Sequence, residues 1–114
     1  MDDIIQTLKA LADATRFRII DLLLTHDLCV GALAGRLSIS EAAVSQHLQI
    51  LRKAGLVTGE KRGYWTHYSV DKTVIRQIAE ALMERADRPP DFRMVCHRSN
   101  DNADQPYVPE EEDR

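Results

Sequence analysis

Apolar residues recur at helical spacing in the first third of the chain and predict three short helices. The first covers residues 3–11, the second begins after the N-cap candidate Asp13 and stops near residues 25–27, and the third covers residues 30–37. The apolar positions that predict them are Ile4, Ile5, Leu8 and Leu11 in the first, Phe17, Ile20, Leu23 and Leu24 in the second, and Val30, Leu33, Ala34 and Leu37 in the third.

A fourth helix is predicted over residues 41–54. Its inner face consists of Val44, Leu48 and Leu51. Two serines are candidates for its N-cap, because Ser38 has capping-box spacing with Glu41 and Ser40 is an equally good cap. Gly55 follows the last turn, where a glycine commonly ends a helix in the left-handed conformation.

The apolar pattern then changes to that of strands and returns to helical spacing near residue 72. Residues 56–61 and 64–70 are rich in β-forming residues and flank Lys61-Arg62-Gly63, which predicts a hairpin with a basic tip. A fifth helix follows the N-cap candidate Asp71, and Pro89-Pro90 closes it. Its apolar stripe consists of Val74, Ile75, Ile78 and Leu82. We assign Trp65, His67 and Tyr68 to packing within the hairpin.

The order of these elements predicts a mainly α fold with a β-hairpin wing, a winged helix-turn-helix. In such a fold the third helix crosses the DNA backbone and the fourth lies in the major groove. We expect residues 1–88 to form this DNA-binding domain and residues 89–98 to form a C-terminal extension. Residues 99–114 are expected to be an acidic, disordered tail.

The net charge of −3 over 114 residues is unevenly distributed. Residues 99–114 hold six acidic residues against Arg114 alone, a net charge of −5, which leaves +2 for residues 1–98. Residues 36–76 hold seven basic and three acidic residues, a net charge of +4. Basic charge therefore surrounds the fourth helix and the hairpin, so the acidic total does not exclude a nucleic-acid partner.

The fourth helix turns hydroxyl and amide groups outward when its apolar face is buried. Ser45, Gln46 and Gln49 then face solvent, and these groups suit base edges because glutamine can form two hydrogen bonds with adenine. Neighbouring basic side chains are expected to contact phosphates, which positions a protein on DNA without reading its sequence. These basic residues are Arg52 and Lys53 at the helix end, with Lys61 and Arg62 at the hairpin tip.

Residues 8–71 resemble the ArsR/SmtB family of winged-helix repressors, which are bacterial metal and thiol sensors. The resemblance rests on four segments in the family's order: LKALADATRFRIIDLLL, DLCVGALAGRL, SEAAVSQHLQILRKAGLV and KRGYWTHYSV. It implies a homodimer, a pseudo-palindromic operator in double-stranded DNA, and repression that an effector relieves. By the family's pattern Glu41 departs from the polar or basic residue typical at its position. The full set of predicted DNA-binding residues is Ser38, Ser40, Ala42, Ser45, Gln46, Gln49, Arg52, Lys53, Lys61 and Arg62.

The first and last helices carry more apolar residues than one small core needs. The resemblance makes these helices the homodimer interface, and the alternative is packing within one chain. The expected interface residues are Ile4, Ile5, Leu8, Val74, Ile75, Ile78 and Leu82.

Cys29 matches the first of the metal-binding cysteines that many family members carry in the third helix. The family's second arsenic-binding thiolate would stand where this chain has Gly31, and neither of the family's standard zinc sites is present. The remaining candidate ligands are Cys29, Cys96 and His97, with His26 as an outside candidate. Soft thiolates favour As(III), Cd(II), Pb(II) or Cu(I), so the expected effector is a thiophilic metal or metalloid. The alternatives are a redox or sulfide sensor that uses Cys29 and Cys96, and a regulator without an effector.

Several classes of protein lack support in this sequence. No Gly-rich phosphate loop, nucleophile elbow or HExxH motif appears, so we expect no enzyme activity. No apolar stretch approaches the ~18 residues of a membrane span, and the N-terminus lacks the features of a signal peptide. With two cysteines and no such signal, the expected location is the cytoplasm. A winged helix that binds protein rather than DNA is a third alternative.

Overall fold

The computed structural model describes residues 2–91, without the side chains of Asp2 and Asp3. Its elements are α1 Asp2–Leu11, α2 Ala14–Thr25, α3 Val30–Leu37, α4 Glu41–Lys53, β1 Val57–Arg62, β2 Trp65–Val70 and α5 Lys72–Asp87. This order confirms the predicted mainly α fold with a β-hairpin wing. Most of the predicted C-terminal extension, including Cys96 and His97, and the whole predicted tail lie outside the described residues.

Side-chain caps fix where three of the helices begin. The carboxylate of Asp13 accepts a hydrogen bond from the Arg16 amide at 3.0 Å, and Asp71 caps α5 in the same way. Ser40 is the N-cap of α4, because its hydroxyl accepts from the Ala43 amide at 3.0 Å. Ser38 instead ends α3 in the left-handed conformation, with φ of 59°. Of the two serine candidates, the structure therefore selects Ser40.

The core lies among α2, α3, α4 and the start of the wing. Its largest fully buried side chains are Ile19, Leu33, Val44, Leu48, Leu51 and Leu56. The predicted inner face of α4 is confirmed, but the predicted face of α2 is partly wrong. Phe17 is 53% exposed and Leu24 is 39% exposed, whereas Ile19 is fully buried. Because α2 carries apolar residues around much of its circumference, spacing alone did not identify the buried side.

The wing is an antiparallel hairpin whose tip lies one residue later than predicted. Val57 pairs with Val70 and Arg62 pairs with Trp65, so Gly63-Tyr64 forms the turn in place of Lys61-Arg62-Gly63. The φ of 66° at Gly63 suits such a tight two-residue turn, because glycine adopts positive φ without a steric penalty. The predicted basic residues therefore lie at the end of β1, beside the tip.

The first and last helices pack against each other within one chain and still leave apolar side chains exposed. Ile5 is 54% exposed and Leu82 is 47% exposed, as the predicted interface requires. Ile78 is 8% exposed, and Val74 and Ile75 pack against the core. These three residues therefore contribute to packing within the chain, and their place in a dimer interface stays a prediction. Within residues 2–91 no helix is long and apolar enough to cross a membrane.

Two glycines give opposite expectations for alanine substitution. Gly55 ends α4 with φ of 79° and has no atom near a potential Cβ, so Gly55→Ala meets only the backbone cost of the left-handed region. We expect the free energy of unfolding to fall by about 1 kcal/mol. Gly35 lies inside α3, also with open space around it, and Gly35→Ala should raise that free energy by about 0.5–1 kcal/mol. Urea denaturation of both variants tests this, and shifts of the same sign would contradict it.

Candidate nucleic-acid interface

The two faces of α4 differ sharply in exposure. Its inner residues are buried in the core, while Ser45, Gln46 and Gln49 are exposed, as predicted. Ala42 is also exposed in the first turn of the helix, beside the N-cap Ser40. The outward face thus presents a hydroxyl and two amides, groups that can donate and accept hydrogen bonds at base edges.

The basic residues near this face lie in two groups. Arg52 and Lys53 are exposed in the last turn of α4, where positive charge also complements the helix dipole. Lys61 is exposed on β1. Arg62 is already engaged, because its Nη1 lies 2.9 Å from Asp27 Oδ2 and its Nη2 lies 3.2 Å from Glu60 Oε1. A phosphate would therefore compete with two carboxylates for the Arg62 guanidinium.

Asp27 joins the wing to the loop between α2 and α3. Besides the ion pair with Arg62, its Oδ1 accepts a hydrogen bond from His67 Nδ1 at 2.9 Å. Cys29 forms an isolated antiparallel bridge with His67, so backbone and side-chain contacts converge on the same loop. Sequence reasoning missed Asp27, since its partners lie 35 and 40 residues away along the chain. No local pattern marks such a pairing.

The Asp27 contacts should make part of the stability depend on pH. Hydrogen bonds from Arg62, and then from His67, hold the pKa of Asp27 below its usual value of 3.8. A carboxylate with a lowered folded-state pKa stabilises the fold above its unfolded pKa, and this contribution is lost as the pH falls through the folded pKa. Asp27→Asn should therefore destabilise the protein at pH 6, and its difference from the parent protein should shrink below pH 3.8.

Urea denaturation at several pH values, followed by the fluorescence of the single tryptophan Trp65, measures this difference. Asp21→Asn is the matched control, because Asp21 is an exposed aspartate on α2 that forms no ion pair within residues 2–91. If the free energies of unfolding of Asp27→Asn and the parent protein differ by the same amount from pH 6 to pH 3, the expectation is contradicted.

An arginine anchors α4 from its inner side. Arg16 Nε donates to the Ala10 carbonyl at 2.7 Å, and its Nη1 lies 3.3 Å from His47 Nδ1. Because a guanidinium only donates, His47 Nδ1 must be the acceptor in this contact. Arg16 thereby links α1, α2 and α4. His47 is half-buried against this arginine, so its ring supports the helix from behind its outward face.

Cys29 is the N-cap residue of α3 and is half-buried, without a side-chain capping bond. His26 is exposed, and its ring nitrogens lie 2.8 Å from Thr25 Oγ1 and 3.4 Å from Arg36 Nη1. Among residues 2–91 no three His, Cys, Asp or Glu side chains are grouped closely enough to hold a metal ion. Cys29 and His26 therefore belong to no such group within residues 2–91, while Cys96 and His97 lie outside the described residues.

The aromatic residues of the wing differ from the predicted packing. Tyr68 is half-buried against the core, and His67 is half-buried beside Asp27, which agrees with a packing role. Trp65 is 62% exposed and Tyr64 is 96% exposed, so the assignment of Trp65 to packing was wrong. Both lie at the tip of a two-stranded sheet, where no other element among residues 2–91 covers them.

Together these features define a winged helix-turn-helix DNA-binding domain. A short turn joins α3 to α4, α4 exposes one polar face, and the β-hairpin follows α4 in the chain. Residues 13–58 match the family model described as bacterial regulatory protein, arsR family. The chain belongs to this ArsR family and is a DNA-binding transcriptional regulator rather than an enzyme.

Two curated relatives are about 40% identical in sequence to this chain. The transcriptional activator HlyU of Vibrio cholerae is 40% identical over 75 residues, which cover 66% of this chain and 69% of HlyU. The arsenical resistance operon repressor of Escherichia coli is 39% identical over 82 residues, which cover 70% of this chain and 69% of the repressor. Both directions of transcriptional control therefore occur among similar proteins.

Solved structures show the same fold. An ArsR-like transcriptional regulator from Rhodococcus sp. RHA1 superposes with a TM-score of 0.69 and 29% identity, over 75% of this chain and 80% of that one. A homodimeric winged helix-turn-helix DNA-binding domain from Mycobacterium bovis gives a TM-score of 0.63 and 28% identity, over 78% and 83% of the two chains.

Proposed function

We propose that this regulator is a homodimeric repressor that inserts α4 into the major groove of a pseudo-palindromic operator. The observation that carries the proposal is the exposed face of Ser45, Gln46 and Gln49, opposite a fully buried face of the same helix. A helix so anchored presents its polar side chains rigidly, which base recognition requires. Ser40 and Ala42 extend this face toward the N-terminus of α4.

Phosphate contacts would come from residues around this face. Arg52, Lys53 and Lys61 are exposed, and Ser38 lies in the turn before α4. Arg62 belongs to this set in the proposal, provided that a phosphate displaces Asp27 and Glu60 from its guanidinium. Such contacts make affinity fall steeply with salt, since each neutralised phosphate releases counterions.

The proposed dimer joins α1 and α5 of the two subunits. Its support is the exposure of Ile5 and Leu82, together with the homodimeric state of the similar domain from Mycobacterium bovis. Two-fold symmetry would place two recognition helices about one DNA turn apart, ~34 Å. Ile4 and Leu8 are partly exposed and belong to the same proposed surface.

We further propose that Cys29 is the effector-responsive residue and that the effector is a thiophilic metal or metalloid such as As(III). The support is the position of Cys29, which begins α3 and also pairs with His67 of the wing. A displacement there would reach both parts of the DNA-binding surface. The described residues alone do not complete a metal site, so the proposal requires Cys96 and His97 as further ligands.

Titration of the full chain against its operator tests both proposals. Wild-type protein should bind with a steep salt slope, and arsenite or Cd(II) should weaken binding roughly 5–150-fold. Cys29→Ser should bind DNA as well as the wild-type protein does and lose the response to arsenite and Cd(II). Zn(II), which is less thiophilic, should weaken DNA binding of the wild-type protein less than they do. Release by polysulfide alone, reversed by a reductant, would identify the redox alternative and overturn the metal proposal. Absence of salt-sensitive DNA binding would overturn the repressor proposal itself.

A further inference from the structure

A cleft of about 220 Å³ opens between the wing and the N-terminal ends of α3 and α4. The side chains in its lining that can form specific interactions are Cys29, Glu41, Tyr64, Trp65, Thr66 and Tyr68. None of the residues that line it within the described part of the chain is basic, although it lies in the most basic region of the sequence. Its chemistry is therefore aromatic and acidic, which differs from that of the surrounding surface.

Glu41 supplies the charge of this cleft. The N-cap of α4 is Ser40, so the Glu41 side chain is not needed for capping. Its Oε2 lies 3.4 Å from the point where a Cβ on Gly31 would stand, which places the carboxylate over the first turn of α3. Within residues 2–91 it has no hydrogen-bond or ion-pair partner. The carboxylate complements the positive ends of the α3 and α4 dipoles, and within residues 2–91 it is the one charged side chain in the lining, so it favours a cation over an anion as ligand.

Aromatic side chains form the opposite wall. The Tyr68 ring is held over Gly59, since its Cε1 lies 2.9 Å from where a Gly59 Cβ would stand. Tyr64 and Trp65 are largely exposed at the wing tip and also line the cleft. The faces of such rings attract cations, because the π-electron cloud above and below each ring is negative.

We propose that this cleft binds an organic cation, a quaternary or aromatic ammonium group, with Glu41 as its counter-ion. Glu41 would repel an anion that approaches the N-terminal ends of α3 and α4, and the lining contains no basic side chain within residues 2–91. A hard metal ion such as Ca²⁺ prefers six or more oxygen ligands, and a single carboxylate does not provide them. An organic cation needs only one charge and several apolar or aromatic contacts, and the cleft offers both.

Titration with benzyltrimethylammonium in the absence of DNA tests the proposal. The fluorescence of Trp65, the single tryptophan, should change saturably with Kd of about 0.1–1 mM. Benzoate and benzyl alcohol, which keep the ring without the positive charge, should give no saturable change. Equal responses to the cation and to benzyl alcohol would overturn the proposal.

Matched variants locate the site. Glu41→Gln should weaken cation binding at least about 5-fold, whereas Glu80→Gln on α5 should leave it unchanged because Glu80 is an exposed carboxylate outside the cleft. If Glu41→Gln and Glu80→Gln bind the cation alike, the assignment to this cleft is wrong. Circular dichroism confirms that each variant is folded.

The cleft also predicts an effect on DNA affinity, and this step rests on the proposed function. Glu41 lies at the start of α4, where its negative charge would repel DNA phosphates. A bound cation should therefore raise DNA affinity about 2–5-fold over the affinity measured in NaCl of the same concentration. Glu41→Gln should show the raised affinity without the cation. Lower affinity with the cation would overturn this coupling. Absence of any DNA binding would instead overturn the repressor proposal and leave the cation measurement to stand alone.

Discussion

Replacing Ser45 and Gln46 together by alanine is expected to lower operator affinity about 100-fold while leaving the fold intact, because each good base contact contributes about 1–3 kcal/mol. Both residues are exposed on α4, and alanine favours helix, so the substitutions remove only the proposed base contacts. The neighbouring buried residues keep the helix in place. The loss should therefore appear in DNA recognition and not in thermal stability.

The measurement is fluorescence anisotropy with an operator selected by the wild-type protein from random-sequence DNA. Affinity for a non-specific duplex should change little, since phosphate contacts carry that binding. Gln77→Ala on α5 is the matched control, because Gln77 is an exposed amide on another helix. If the double variant loses specific and non-specific affinity equally, the assigned base contacts are wrong.

Leu51→Ala is expected to lower the free energy of unfolding by about 3 kcal/mol, through lost burial and the cavity that remains. Leu51 is fully buried in the core formed by α2, α3 and α4, so solvent cannot fill the cavity and the packed neighbours can close it only in part. For a domain of this size, such a loss lowers Tm by roughly 12–24 °C. Differential scanning calorimetry or urea denaturation measures it.

Ile50→Ala provides the control for this substitution. Ile50 precedes Leu51 on the same helix but is 43% exposed, so its truncation should cost less than about 1 kcal/mol. Losses of equal size in the two variants would show that the buried side of α4 has been assigned incorrectly. The comparison needs no DNA and therefore tests the orientation of α4 independently of function.

The prediction from sequence succeeded where local spacing determines the structure. Val44, Leu48 and Leu51 recur at helical spacing, and a single apolar stripe leaves only one possible orientation for α4. Asp13 and Asp71 are caps because their carboxylates reach amides two or three residues ahead. These interactions lie within a few residues, so the sequence contains all the information they require.

The failures share a different cause. Asp27 contacts Arg62 across 35 residues, and Arg16 contacts His47 across 31, so the first pair depends on how the wing packs on a loop and the second on how helices pack. Trp65 was assigned to packing by its residue type, yet at the tip of the two-stranded wing the described part of the chain leaves its ring 62% exposed. The residue type gives the preference of a side chain for burial, whereas its actual exposure depends on which helices and strands pack against it.

The weak burial of α5 has a consequence for how the protein responds to its own abundance. Ile78, at 8% exposed, is its one buried residue, and all 16 residues of the helix lie within the described part of the chain. A helix anchored by so little can open while the core remains folded, so its amides should exchange with solvent earliest among the helices. If subunits protect each other's α5, dilution alone unravels this end of the molecule. The number of copies in the cell would then determine how many folded dimers can bind DNA.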